Sequence, residues 1–329
     1  MGKGRENTKY LKLLKQNYST SQSVIREIIN LSAITNLPKG TEFFLSDIHG
    51  EYDAFLHIMN NCSGVIKEKV DLIFGDTLSK FDRKELCTLI YYPREKMTIL
   101  GESNKLDSDW YSMTLNYLIK VAKLLSSKYT RSKVRKALPE DYAYIIDELL
   151  HAQKNEDANK VSYHKQILQT IIDLEDADEF IIALSALIKR LAVDHLHLVG
   201  DIFDRGGNAD KIVDLLMNYH SLDIEWGNHD ILWMGAACGN DACICNVLRN
   251  NLKYGNVEIL ENAYGISLRS LIHFGMKIYG IEDGIQAAFA AIKVILFKVE
   301  GQLIKRHPEY EMDDRLLLEH VDLANNTVL

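Results

Sequence analysis

Three short blocks of the 329-residue chain carry side chains suited to chemistry: Ser46-Asp47-Ile48-His49-Gly50, Gly200-Asp201-Ile202-Phe203-Asp204-Arg205-Gly206 and Gly227-Asn228-His229-Asp230. Together they gather carboxylates, imidazoles, an amide and a guanidinium. Asp47 and His49 are one residue apart, so in an extended segment both side chains can point the same way and chelate one cation. Asp201 can bridge two cations through its two oxygens, and Asn228 offers a neutral carbonyl oxygen to the second. Oxygen and nitrogen donors without thiolate suit Mn²⁺, Mg²⁺, iron or zinc at a reactive centre rather than a structural zinc site. Two such cations roughly 3.5–4 Å apart hold a water between them and acidify it. Arg205 can fork onto phosphoryl oxygens. His229 is placed to protonate a leaving alkoxide, with Asp204 orienting its ring. The chemistry these residues suggest is metal-dependent hydrolysis of a phosphoester.

Each block alone has an ordinary reading. Asp-x-His is common, Asp204-Arg205 could be a simple ion pair, and Gly227 to Asp230 could be a turn with a helix cap. Their weight comes from where they sit. Apolar, strand-like runs at 41–45, 193–199 and 222–226 each stop where a block begins, and a helical pattern follows each block. In an open α/β sheet, ligands bind beyond the carboxyl ends of the strands, where the loops and helix N-termini converge. All three blocks are predicted to lie there.

The remaining periodicity is helical. Residues 6–31 read as one helix, with Tyr10, Leu13, Leu14, Val24, Ile25, Ile28 and Ile29 at three-to-four spacing. The expected organisation is an N-terminal helical segment at 1–40 and an α/β core from 41–61 and 191–232. A helical insertion at 62–190 and a helical continuation at 233–329 complete it. Gly75-Asp76 follows the apolar run 70–74 and imitates the second block, but lacks its Asp-Arg-Gly; Asp76 is expected to cap a helix. His195 and His197 lie near Asp201 but along the strand interior, and are expected to be satisfied core or sheet-face residues rather than ligands.

Composition excludes other classes. Apolar content of 47% and charged content of 26% describe a chain that buries a real core. A formal charge of −8 argues against a nucleic-acid partner. The basic stretch at 128–136 is read as a solvated helix face. No apolar run reaches the roughly 18 residues of a membrane span, and the N-terminus has no secretory pattern, so no membrane partner and a cytoplasmic location are expected. Five cysteines in this length make no disulfide framework, and the spacing of Cys238, Cys243 and Cys245 matches no zinc knuckle. Reduced thiols are expected. A homo-oligomer is compatible with the sequence, which is silent on assembly.

The three blocks resemble the D-x-H, GD-x-x-DRG and GNH-D/E pattern of the calcineurin-like metallophosphoesterases. The wider chain resembles a narrower group, the class III fructose-1,6-bisphosphatases of bacteria. The segments that carry this likeness are TEFFLSDIHGEYDAFLHIMNNCSGVIKEKV, TLIYYPREKM, HLHLVGDIFDRGGNADKIVDLLM, DIEWGNHDILWMGAACGNDACICNVLR and RHPEYEMDDRLLLEH. The resemblance implies part of an αββα sandwich and hydrolysis of the 1-phosphate of fructose 1,6-bisphosphate, a small sugar bisphosphate, with Mn²⁺ as the metal. It also implies Asp47, His49, Asp201 and Asn228 as metal ligands and His229 with Asp204 as the acid pair. Members of that family complete the site with two later histidines and are about twice as long, so the chain is expected to be their N-terminal part. None of His273, His307 and His320 is expected to be a ligand. The other readings of the residues are a phosphoprotein or dinucleoside-polyphosphate phosphatase with the same site, or an inactive fragment.

Overall fold

The computed structural model describes residues 2–152, 157–322, 324, 325, 327 and 328. Residues 153–156 of the expected insertion, and 1, 323, 326 and 329 near the ends, lie outside the described residues. The chain divides into two compact units: Met1–Thr41 with Asn60–Asp194, and Glu42–Met59 with His195–Leu329. The chain is mainly helical with a small parallel sheet, an α/β fold in the broad sense.

The sheet belongs to the second unit. Strands β1 (Glu42–Leu45), β2 (His195–Val199) and β3 (Leu222–Glu225) lie in that order and are parallel. They fall within the three runs read from the sequence. Side chains alternate between faces along a strand, and the register sorts them by chemistry. Phe43, Leu196 and Leu222 form one row of the apolar face, and Leu45, Leu198 and Ile224 the next. This face is covered by Phe55 of α1 (Tyr52–Asn61), Ile212 and Leu216 of α2 (Ala209–Met217), and the loop residues Ile48 and Ile202. The opposite face carries Phe44, His197 and Asp223 in one row, with Phe44 60% exposed.

After β3 come α3 (Asn228–Ala237), α4 (Asp241–Tyr254), α5 (Arg269–Tyr279) and α6 (Gly284–Arg306). Their core of Val247, Leu252, Leu260, Ala288, Ile292 and Leu296 also takes in Phe203 and Trp233 from the motif region. A short antiparallel pair, β4 (Val321–Asp322) and β5 (Thr327–Val328), closes the described chain.

The first unit is helical. Ser108–Ser126 packs on Ala177–Ala192. Leu115, Leu118, Val121 and Leu125 of one, and Phe180, Ile181, Leu184 and Ile188 of the other, recur at three-to-four spacing and are fully buried or nearly so.

Two expectations need correction here. Residues 6–31 form two helices, Gly2–Asn17 and Ser21–Ile34, because Thr20 is an extended N-cap exchanging hydrogen bonds with Ser23. Their apolar stripe is not core: Ile25, Ile28 and Ile29 are all more than half exposed. Asp76 caps no helix among the described residues; the run 70–74 ends a helix, and the next, Lys80–Tyr91, is capped by Ser79, whose hydroxyl accepts from the Asp82 N–H. The basic stretch at 128–136 does present a solvated helix face, as expected, with Arg131, Lys133, Arg135 and Lys136 exposed on the helix Arg131–Ala137. Lys128 is half-buried and donates to Thr41 Oγ1 at 3.1 Å, burial pulling its pKa down, while Lys133 pairs with Asp194 and Arg135 with Asp147.

All five cysteines are free thiols, as expected. Burial pushes the Cys62 thiol up to about 12, and its residue is 3% exposed, whereas Cys238 is exposed. Because the thiolate is the reactive species, iodoacetamide at pH 8 is expected to modify Cys238 and spare Cys62 until the chain is denatured. Peptide mapping by mass spectrometry would detect the opposite order. Among the described residues, no helix is long and apolar enough to cross a membrane.

Candidate active site

The loops after β1 and β2 continue the parallel pairing beyond the strands. Asp47 N donates to Gly200 O at 3.2 Å, His49 N to Asp201 O at 2.8 Å, Gly50 N to Ile202 O at 2.8 Å and Gly206 N to His49 O at 2.7 Å. Five non-glycine residues here adopt left-handed backbone angles: Asp47 (φ 54°), His49 (48°), Asp201 (57°), Asp204 (65°) and Arg205 (70°). Each such residue costs on the order of 1–3 kcal/mol and persists where its surroundings over-determine it. Here the surroundings are backbone. A Cβ on Gly206 would stand 2.6 Å from the His49 carbonyl oxygen, and one on Gly227 would run into the Asp201 carboxylate.

Asp230 locks the second and third loops together. Its buried carboxylate accepts from the backbone N–H groups of Asp201 (2.7 Å), Ile202 (2.9 Å), Phe203 (3.2 Å) and Gly227 (2.9 Å). The Gly227 contact caps the N-terminus of α3. The ordinary reading of the third block, a turn with a cap, is therefore part of its structure.

On this frame Asp47, His49 and Asp201 converge, with one ligand atom from each within 4.8 Å of the others. His49 Nδ1 faces the Phe203 carbonyl at 3.2 Å. A carbonyl only accepts, so the neutral ring carries its hydrogen on Nδ1 and a bare lone pair on Nε2. That Nε2 is buried and has no hydrogen-bond partner among the described residues; Asp47 Oδ1 lies 3.7 Å from it. Two carboxylates and an imidazole whose tautomer is set by its other nitrogen are a donor set for a divalent cation. The residues present fit such an ion.

Beside this cluster His229 meets the His49 ring edge-on, with centroids 5.3 Å apart. His229 Nδ1 lies 2.7 Å from Asp204 Oδ2. Asp204 is fully buried and also accepts from Trp233 Nε1 at 3.0 Å on Oδ1 and from Asn250 Nδ2 at 2.8 Å on Oδ2. Asn228 is the exposed first residue of α3, directly before His229. Arg205 is exposed, its backbone carbonyl accepting from Asn256 Nδ2 at 2.5 Å.

The family model of the firmicute fructose-1,6-bisphosphatases matches residues 9–329. The chain belongs to this family. It is 52% identical over 343 aligned residues to "Fructose-1,6-bisphosphatase class 3 1" of Clostridium beijerinckii, an alignment covering 98% of this chain and 52% of the relative. It is 49% identical to the "Fructose-1,6-bisphosphatase class 3" of Clostridium novyi, covering 98% of this chain and 51% of that protein. The same-named protein of Clostridium botulinum (strain Okra) stands at 49% with the same coverage. The chain thus spans about half the length of the curated relatives it matches. No solved structure matches it.

All seven residues singled out from the sequence lie in the loops after β1 and β2 or at the start of α3. Asp47, His49 and Asp201 form the cation-sized cluster and His229 with Asp204 a direct pair, while Arg205 is exposed in the loop after β2 and Asn228 at the start of α3. Sequence reasoning missed Asp230, Trp233 and Asn250, which hold the loops and Asp204 in place. Of these only Asp230 had a signal, being the last residue of the third block. His307 pairs with Glu309 at 2.8 Å, and none of His273, His307 and His320 falls in a metal-competent group among the described residues. A second such group does exist on the open sheet face: His195, His197 and Asp223. Hydrogen bonds from His195 and then His197 hold the Asp223 carboxyl below its usual range.

Proposed function

We propose that this chain carries the catalytic centre of a metal-dependent phosphoric monoester hydrolase that releases the 1-phosphate of fructose 1,6-bisphosphate to give fructose 6-phosphate. The observation that carries the reading is His49: a buried imidazole whose Nδ1 is tied to a carbonyl and whose Nε2 has no partner, aimed between two carboxylates. An unpartnered buried nitrogen costs free energy unless something binds it. Family membership supports the sugar bisphosphate as substrate, since the curated relatives bear that enzyme's name.

In this reading Asp47, His49 and Asp201 would hold a divalent cation, and Asp201 with the Asn228 carbonyl oxygen would hold a second. Mn²⁺ is the proposed metal, with Mg²⁺ able to substitute. The sheet and its loops would be part of a calcineurin-like αββα core, with residues 62–190 inserted into it. When bound, the metals supply Lewis acidity and an acidified water. The protein groups do the rest. The exposed Arg205 grips the phosphoryl oxygens in bidentate fashion. His229, with Nδ1 fixed on Asp204, turns Nε2 to the site and gives its proton to the sugar oxygen as the phosphorus–oxygen bond breaks.

The test is phosphate release from fructose 1,6-bisphosphate by the purified chain, with and without Mn²⁺. Turnover is expected to require the metal and to fall by at least about 10-fold in Asp201→Asn, since disturbing residues that merely support metal ligands costs about 10–100-fold. Release indifferent both to chelator and to Asp201→Asn would overturn the reading.

A further inference from the structure

The open face of the sheet carries chemistry that the phosphatase reading does not use. His195 and His197 are separated by one residue on β2, so strand periodicity puts both on the same face. The parallel register sets Asp223 of β3 directly opposite His197. His195 Nε2 lies 3.0 Å from Asp223 Oδ2 and His197 Nδ1 lies 2.7 Å from Asp223 Oδ1. We propose that His195, His197 and Asp223 form a binding site for one borderline divalent cation of the Zn²⁺ class, separate from the Asp47, His49 and Asp201 cluster.

Geometry supports a site that is already assembled. Bonds of about 2.0–2.2 Å from a metal to nitrogen and carboxylate oxygen put neighbouring ligand atoms about 3 Å or slightly more apart. Atoms now 2.7–3.0 Å apart need little movement to reach that spacing. The rings are oriented from behind. Ser221 Oγ sits 2.7 Å from His195 Nδ1, so the serine can accept the Nδ1 hydrogen and leave Nε2 free for the ion. Phe44 stacks on His197 at 4.3 Å and 13°, holding that ring's plane. The ion takes the place of any hydrogen facing the carboxylate, each neutral ring then carrying its one hydrogen on the nitrogen turned away from the ion.

Donor type sets the selectivity. Two imidazoles and one carboxylate suit Zn²⁺, Co²⁺ or Ni²⁺, whereas Mg²⁺ and Ca²⁺ prefer all-oxygen shells. Three protein ligands leave a coordination position open to solvent. The competing description is a hydrogen-bonded His–Asp–His triad with no affinity for metal, and the two make different predictions.

Zn²⁺ binding measured by equilibrium dialysis, with Co²⁺ absorption as a second probe, separates them. With the motif cluster disabled by Asp47→Ala and Asp201→Asn, the chain is expected still to take up one equivalent of Zn²⁺, and adding His197→Gln should abolish it. In the otherwise unaltered chain, His195→Gln with His197→Gln should lose one equivalent while the circular dichroism stays the same, which covers failure of the first background to fold. Ser221→Ala, which removes no ligand but only the partner of His195 Nδ1, should weaken this uptake by about 10–100-fold. Zn²⁺ stoichiometry unchanged by the double histidine substitution would overturn the proposal, as would no uptake by a folded Asp47→Ala, Asp201→Asn chain.

Discussion

Replacing Asp230 with alanine is expected to lower the thermal midpoint of unfolding by on the order of 10 °C. The carboxylate accepts from four backbone N–H groups, three of them in the Asp201–Phe203 segment and one at Gly227. Leaving a buried donor unsatisfied costs about 1–3 kcal/mol. Water admitted into the space left by the side chain would recover part of this, so the net loss is about 4 kcal/mol. At about 2–4 °C per kcal/mol for a domain of 150–250 residues, the shift is readily measured. The bond to its own N–H also holds Asp201 in a left-handed conformation that alanine at 230 would no longer support. Asp230→Asn should fall between, because its amide nitrogen must face N–H donors wherever it turns. Asp214→Ala, at an exposed position, is the control and should shift the midpoint by no more than about 2 °C, as surface substitutions do. An Asp230→Ala chain that melts with the unaltered protein would remove this carboxylate from the framework.

The Asp230 network also marks where sequence reading stops. The strands were legible because short apolar runs ended at turn-forming, polar blocks, and because His195, Leu196, His197 and Leu198 alternate with the period of a strand. The positions of Asp47, His49, Asp201 and His229 followed from that, since a loop at a strand's carboxyl end can go to few places. Bonds from a carboxylate to backbone N–H groups 27–29 residues away leave no pattern in side-chain types. Asn250, 46 residues from Asp204, is equally silent, because its helix shows only ordinary amphipathic spacing. The pairing of Asp223 with His195 and His197 depends on the β2–β3 register, which the sequence does not fix. The break between the two N-terminal helices was legible and overlooked: Thr20 and Ser23 stand three apart, as a capping box requires. The imitation of the second block at 70–76 was recognised from its missing Asp-Arg-Gly, but which residue caps the next helix was not, because Asp76 and Ser79 are both cap-forming types.

The second large effect concerns His229. On the proposed mechanism, His229→Ala is expected to lower kcat on fructose 1,6-bisphosphate by about 10²–10⁴-fold, the usual worth of a positioned general acid, with the fold intact because the ring is only partly buried. Asp204→Asn should approach the same loss for a different reason. Oδ1 of Asp204 receives the Trp233 N–H, and Oδ2 receives the Asn250 N–H together with His229 Nδ1. An amide nitrogen placed on the Oδ1 side meets the Trp233 donor head-on. Placed on the Oδ2 side it opposes Asn250 and offers hydrogens to His229 Nδ1, turning that nitrogen into an acceptor. The neutral ring then holds its hydrogen on Nε2 instead of Nδ1, the wrong tautomer for a ring meant to pick up and deliver a proton at Nε2. Loss of the acid can be told apart from loss of a metal ligand with a substrate whose leaving group needs no proton. An activated aryl phosphate should restore much of the rate in both His229→Ala and Asp204→Asn, while Asp201→Asn, lacking a ligand rather than an acid, should stay slow on either substrate. Equal losses on sugar and aryl phosphates would take the proton-donor role away from His229.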